Sequence, residues 1–146
     1  MIGRFNGDGN LEKGIHECEW PEFYKKFGTN PHRRLLLRGM KDALHNLKNA
    51  GCITVYVDGS FVTLKEIPND YDAIWGVENV DPIKLDQIFF DFNNSRASQK
   101  MKYYGEFFPS SMIERKSNSA FLNFFQIDKE TGVKKGVVKM DLRRLN

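Results

Sequence analysis

The stretch Val57-Asp58-Gly59-Ser60-Phe61-Val62-Thr63, followed by Pro68-Asn69-Asp70-Tyr71-Asp72, decides how this chain is read. An apolar strand closes in a Gly59-Ser60 turn, and Asp70 and Asp72 then appear one residue apart. Residues i and i+2 of a β-strand point to one face, so these two carboxylates stand side by side. Adjacent carboxylates repel and raise each other's pKa unless a cation lies between them. Hard divalent ions such as Mg²⁺ (or Mn²⁺) suit that position, because they take oxygen ligands and bridge carboxylate to phosphate. The turn upstream offers backbone N–H groups and a hydroxyl to phosphate oxygens. Together these features point to chemistry on a nucleoside triphosphate.

Composition narrows the setting. A chain of 146 residues with 40% hydrophobic content is one domain, residues 1–146, with enough apolar surface for a core of its own. The 28% charged fraction and the mean hydropathy of −0.52 predict a polar surface. No apolar run approaches the roughly 20 residues of a membrane span, and residues 1–7 carry no signal-peptide-like stretch. Cytoplasmic residence is the expectation. Cys18 and Cys52 lack zinc or disulfide spacing and are expected to be reduced and structural. The net charge of +3 does not indicate nucleic acid by itself. The pairs Phe89-Phe90, Phe107-Phe108 and Phe124-Phe125 lack interleaved basic residues and read as core rather than as base-stacking platforms.

Local signals predict the elements. Residues 1–10, rich in Gly and Asn, form a loop or edge hairpin. Residues 20–27 form a short helix with Pro21 near its start and Gly28 at its end. Asn30 caps a longer helix over 32–50, whose apolar residues Leu36, Met40, Ala43, Leu44 and Leu47 recur at helical spacing. Strands are expected at 53–57, 71–77 and 103–108, with a helix from Asp81-Pro82 to about 90 or 92. The polar run 93–96 either breaks that helix or begins a short one to residue 100. A final hairpin joins 121–127 to 134–142 through the turn 128–132.

The Gly-Ser turn and Asp-x-Asp, followed by Ala73, Ile74 and Trp75, resemble the signature of the DNA polymerase β-like nucleotidyltransferase superfamily. Further segments, among them Asp8-Gly9-Asn10-Leu11, Trp20-Pro21-Glu22-Phe23, Gly105-Glu106-Phe107-Phe108-Pro109 and Lys135-Gly136-Val137, resemble a small bacterial nucleotidyltransferase-like family described as a domain of unknown function. This resemblance spans nearly the whole chain. It implies an α+β fold, the minimal nucleotidyltransferase core: a mixed sheet of about five strands with helices packed on one side.

The resemblance also implies roles. Gly59 and Ser60, with Thr63 and Lys65 in the loop behind them, would bind the nucleotide, and Asp70 and Asp72 would hold the metal. An unpaired carboxylate inside an apolar strand is costly, which separates Asp72 from an ordinary turn aspartate. Tyr71, between the two, is expected to face the core. Superfamily members complete the site with a third carboxylate on a neighbouring strand, for which Glu106 and Asp141 are the candidates. Glu106 shares its face with Tyr104 and Phe108, an unusual place for a charge without a cation. Asp141 alternates onto a polar face with Lys139 and needs no site to explain it. Glu106 is the favoured third ligand and the group that would take the acceptor's proton. Lys100 and Lys102 flank the third strand and Arg96 lies on the helix before it; each could meet phosphate, but each alone fits a solvated cation better, and the basic patch of Lys134, Lys135, Arg143 and Arg144 fits a solvated surface better than a dock for an acidic partner or RNA.

The activity implied is Mg²⁺-dependent transfer of a nucleoside monophosphate from NTP to a hydroxyl of a protein, an RNA or a small molecule. Small bacterial superfamily members include antitoxin-type protein adenylylators and aminoglycoside-modifying enzymes. A chain this short leaves little room for an acceptor-binding domain, so a homodimer or a partner protein is expected to complete the site. The alternative is a non-catalytic, antitoxin-like module that keeps the fold to bind a nucleotide or a partner.

Overall fold

The computed structural model describes residues 1–112 and 136–146. Its elements begin where side-chain chemistry starts and stops them. Helix α1 (Trp20–Phe27) carries Pro21 in its first turn, where a missing N–H costs nothing, and ends at Gly28. Helix α2 (Pro31–Asn49) is capped by Asn30, whose Oδ1 accepts from the Arg33 N–H at 2.8 Å. Its buried face, Leu36, Leu37, Met40, Ala43, Leu44 and Leu47, repeats at helical spacing. Each leucine buried there stabilises the fold by about 1.5–3 kcal/mol relative to leaving it in water.

The strands are β1 (Gly14–Glu17), β2 (Thr54–Asp58), β3 (Asp72–Trp75), β4 (Glu106–Pro109) and β5 (Gly136–Asp141). They form one sheet in the order β1-β5-β2-β3-β4. β1 with β5 and β3 with β4 are parallel; β2 is antiparallel to both β3 and β5. The architecture is α+β with a mixed five-stranded sheet.

Strand alternation divides the sheet into two faces. Val55, Val57, Ala73, Trp75, Phe107, Val138 and Met140 join one hydrophobic core with Phe23 and Phe27 of α1 and the leucines of α2. Asp58, Asp72 and Glu106 fall on the opposite parity. The register sets Asp58 beside Asp72 and Asp72 beside Glu106, one cross-strand row of carboxylates.

Several expected elements differ. β1 was not anticipated: Gly14-Ile15-His16-Glu17 is short and mostly exposed, and only its pairing with β5 makes it a strand. The helix expected from Asp81-Pro82 is instead a set of turns ending in a 3₁₀ turn, Gln87–Phe90. Asp86 explains this. Its carboxylate accepts from Ile88 N, from the Tyr103 hydroxyl and from Lys102, and its own N–H donates to the Asn46 side chain. These tertiary bonds hold the chain in a capped turn that a continuous helix would break.

Helix α3 (Asn93–Tyr103) is interrupted in the polar stretch, where Asn94, Ser95 and Arg96 have left-handed φ/ψ, and continues past residue 100 until Tyr104 ends it with φ of 65°. The third expected strand therefore begins at Glu106 rather than 103, and Tyr104 is outside it. The expected strand 121–127 and its turn lie outside the described residues. Among those described, no helix is long and apolar enough to cross a membrane.

Candidate metal centre

Three elements bring the carboxylates together. Tyr71 is fully buried, stands edge-on to the rings of Phe61 and Phe107, and donates its hydroxyl to the Tyr103 carbonyl at 2.6 Å. With Tyr71 locked into the core, Asp70 and Asp72 on either side turn the other way. Parallel pairing of β3 with β4 then sets Glu106 next to Asp72. One carboxylate oxygen from each of Asp70, Asp72 and Glu106 lies within 4.8 Å of the others.

Gly59 makes room for this cluster. It holds φ of +86°, and a Cβ there would stand 2.7 Å from Asp72 Oδ2. Its sequence-expected role was to admit a phosphate; its visible one is to admit the Asp72 carboxylate. Ser60 opens the 3₁₀ turn Ser60–Val62 directly after it and is half-buried.

The electrostatics are strained. Burial, then the hydrogen bond with Glu106 and the charges of Glu106, Asp70 and Asp58, push the Asp72 carboxyl up to about 8. Burial and then Glu106 raise Asp70, against the pull of Lys100, Arg96 and Lys65. Burial alone would raise Glu106 too, but its hydrogen bond with Asp72 and the Arg96 and Lys100 cations outweigh it and hold Glu106 low. Asp72 Oδ1 is buried with no hydrogen-bond partner among the described residues. A buried oxygen in that state, beside two further carboxylates, fits a divalent oxygen-seeking ion such as Mg²⁺ or Mn²⁺.

Glu106 draws its cations from α3. Its Oε1 accepts from Arg96 Nε at 2.9 Å and Nη2 at 2.8 Å and lies 3.4 Å from Lys100 Nζ. Arg96 also sits over the Phe108 ring, 5.0 Å from its centroid. Asn94, Ser95 and Arg96 carry φ values of 51°, 55° and 62°. The left-handed region costs an L-residue other than glycine roughly 1–2 kcal/mol. Lys102, the third cation of this group, pairs instead with Asp86.

Thr63 and Lys65 stand apart from the cluster. The Thr63 hydroxyl donates to Ser60 O at 2.5 Å and accepts from Lys65 N at 3.1 Å, closing a local turn. Both line a separate hollow of about 320 Å³ with Lys26, Asn30 and Arg33. Lys65 reaches the cluster only through its charge, which pulls the Asp70 pKa down.

Asp141 lies elsewhere. It pairs with Thr54, at the far end of β2 from Asp58, about 13 Å along the strand. Arg143 binds its carboxylate at 3.0 and 2.8 Å and holds it below the usual range. A cavity of about 610 Å³ is at that end, lined by Glu17, Cys18, Ile53, Lys139, Asp141 and Arg144 among others. Cys18 is free, and burial pushes its thiol up to about 12, so it is inert there.

Two residues that sequence reasoning passed over support the cluster. Asp58, 2% exposed, shares the carboxylate row, and its charge helps raise Asp72. Its signal was the alternation of Val55 and Val57, which turns Asp58 to the other face. Arg33 is also 2% exposed. Its guanidinium donates to the carbonyls of Phe27, Phe61 and Thr63 at 3.3, 2.7 and 2.9 Å, and to Lys65 O. Asn30 and His32 donate to the carbonyls of Glu66 and Pro68. The first turn of α2 thus ties down the whole loop between the Gly-Ser turn and Asp70.

Residues 3–141 match a family described as a family of unknown function (DUF6932), and the chain belongs to it. No curated protein and no solved structure matches the chain.

Proposed function

We propose that this protein is a cytoplasmic, divalent-metal-dependent nucleotidyltransferase of the DNA polymerase β-like superfamily. The observation that carries the reading is Asp72, a buried carboxyl with one unpartnered oxygen, raised to about 8 by its neighbours and set among Asp70 and Glu106. Such an arrangement is costly in an unliganded strand, and functional sites are where costs of this kind collect. Asp70, Asp72 and Glu106 would hold Mg²⁺ or Mn²⁺, which supplies Lewis-acid stabilisation of phosphate charge when bound.

The residues divide the remaining work. Gly59 and Ser60, at the edge of the cluster, offer N–H groups and a hydroxyl to the triphosphate. Lys65 adds long-range positive charge. The acceptor hydroxyl attacks the α-phosphorus, the α–β phosphoanhydride bond breaks, and pyrophosphate leaves. Glu106 accepts a hydrogen bond from that hydroxyl and takes its proton. The acceptor is a protein, RNA or small-molecule hydroxyl, and a second copy or a partner protein completes its binding surface.

The test is calorimetry with NTPs and Mg²⁺, run alongside transfer of label from α-labelled NTP to candidate acceptors. Metal-dependent NTP binding with label transfer is the expected result. Binding without turnover on any acceptor would favour the non-catalytic module, and the absence of both would remove the nucleotide from the reading.

A further inference from the structure

Resting on that metal-site reading, Arg96 presents a second problem at the same place. Its guanidinium gives two donors to Oε1 of Glu106, one of the three carboxylates that would hold the ion, and Lys100 stands 3.4 Å from the same atom. Asp70 and Asp72 receive no comparable ion pair among the described residues. The cations of α3 are concentrated on one ligand of the three.

We propose that Arg96 is a tethered counter-ion that holds the carboxylate cluster closed until a divalent cation displaces its guanidinium from Glu106. The backbone carries the same message. Asn94, Ser95 and Arg96 lie in the left-handed region that such residues rarely adopt in succession. A conformation of that kind persists where surrounding contacts impose it, and the grip on Glu106 is the strongest polar contact these residues make. Releasing it frees the segment to return to ordinary helical geometry.

The displaced side chain has a second seat. Phe108, two residues beyond Glu106 on the same face, already lies under the guanidinium at 5.0 Å. Arg96 can therefore release the carboxylate while keeping its contact with the ring. With the latch closed, stray cations find Glu106 already neutralised, so only an ion that also engages Asp70 and Asp72 competes.

The experiment measures metal binding directly, apart from turnover. Mn²⁺ is titrated into the wild-type chain, Arg96→Gln and Lys100→Gln by calorimetry. The Arg96 Nε–H resonance of the wild type is followed with Mg²⁺ by NMR. Arg96→Gln should bind Mn²⁺ about tenfold more tightly, the effect of one opposing charge at hydrogen-bond distance from a carboxylate. Lys100→Gln should tighten it less, and the Arg96 Nε–H should lose its Glu106 signature on Mg²⁺ saturation. Metal affinity unchanged or weaker in Arg96→Gln, or a Glu106-bonded Nε–H that survives saturation, overturns the latch and leaves the metal site standing. Mn²⁺ binding to none of the three proteins overturns the metal-site reading itself, and the latch with it.

Discussion

The acidic residues at the two ends of β2 are in opposite predicaments. At the Thr54 end, three carboxylates are paired with cations: Asp141 with Arg143, Glu17 with Lys139, and Glu19 with Arg144. At the Asp58 end, Asp58, Asp72 and Glu106 stand in one row, and Arg96 and Lys100 pair with Glu106. The cavity of about 610 Å³ is at the first end. Concavity and electrostatic strain therefore point in different directions, and strain is the better guide. A mixed-charge hollow whose acids are largely paired has little left to bind an ion with, whereas a crowded row stores the free energy that an incoming cation recovers.

The sharpest way to break this contrast is Asp72→Asn. Mg²⁺ or Mn²⁺ affinity should fall on the order of a hundredfold or more, beyond what losing an outer hydrogen-bond partner costs, and nucleotidyl transfer should vanish. The fold should survive, since one of the repelling carboxylates is gone; a denaturation curve no worse than the wild type's is expected. Retained Mg²⁺-dependent transfer would show that the row is not the site.

Gly59→Val attacks the same end through its geometry. The new side chain meets the Asp72 carboxylate and sits at φ of +86°, a region closed to β-branched residues. A loss of about 3–4 kcal/mol in urea unfolding is expected from clash and backbone strain together. A loss below about 1 kcal/mol would mean that the turn relaxes freely.

Arg33→Met keeps the volume and removes the donors that tie the loop before Asp70. Buried carbonyls left without partners cost about 2–3 kcal/mol in all. The same variant should loosen metal binding, because the loop it releases positions Asp70. Stability lost with metal affinity intact would detach the brace from the site.

The same row also predicts a pH dependence. The Asp72 carboxyl sits at about 8 in the fold, against about 4 in an unfolded chain. Between those values the folded protein holds a proton that the unfolded chain has released. The Asp72 contribution to metal-free stability is therefore full below about pH 4 and is lost as the pH rises through 8. Denaturation midpoints between pH 5 and 8 should fall with pH in the wild type and flatten in Asp72→Asn. An unaltered slope in the variant would place the titration on another group.

The least effect is expected of Asp141→Asn, which touches only its local pair with Arg143. Metal affinity, transfer and denaturation midpoint should match the wild type. Any large loss of metal binding would erase the distinction between the two ends.

Much of this was legible where neighbours in sequence are neighbours in space. Asn30 and Pro31 announce α2, and Tyr71 between two aspartates announces which way each points. Glu106 was separable from Asp141 because strand alternation puts a lone acid on an aromatic face in one case and beside lysine in the other. What escaped depends on register between distant strands. Asp58 reads as turn chemistry until β2 pairs with β3 and sets it against Asp72. Gly14–Glu17 carries no strand pattern of its own and takes its form from β5. The helix expected after Pro82 is undone by Asp86, whose partners Tyr103 and Asn46 are far off in the chain. Arg33 on a helix reads as a surface cation, and only the loop that folds over it shows why it is buried.

The position of β5 between β1 and β2 has a consequence in time. β2 and β3 are separated only by residues 59–71 and can pair early, whereas β1 has no strand partner among the described residues until the chain as far as β5 has arrived. Closing a loop of that length costs entropy before pairing repays it, and contacts of this kind form slowly. During folding, then, the acids of β2 and β3 face one another before the edge formed by β1 and β5 exists. The chain must carry its least comfortable contact through most of its own assembly.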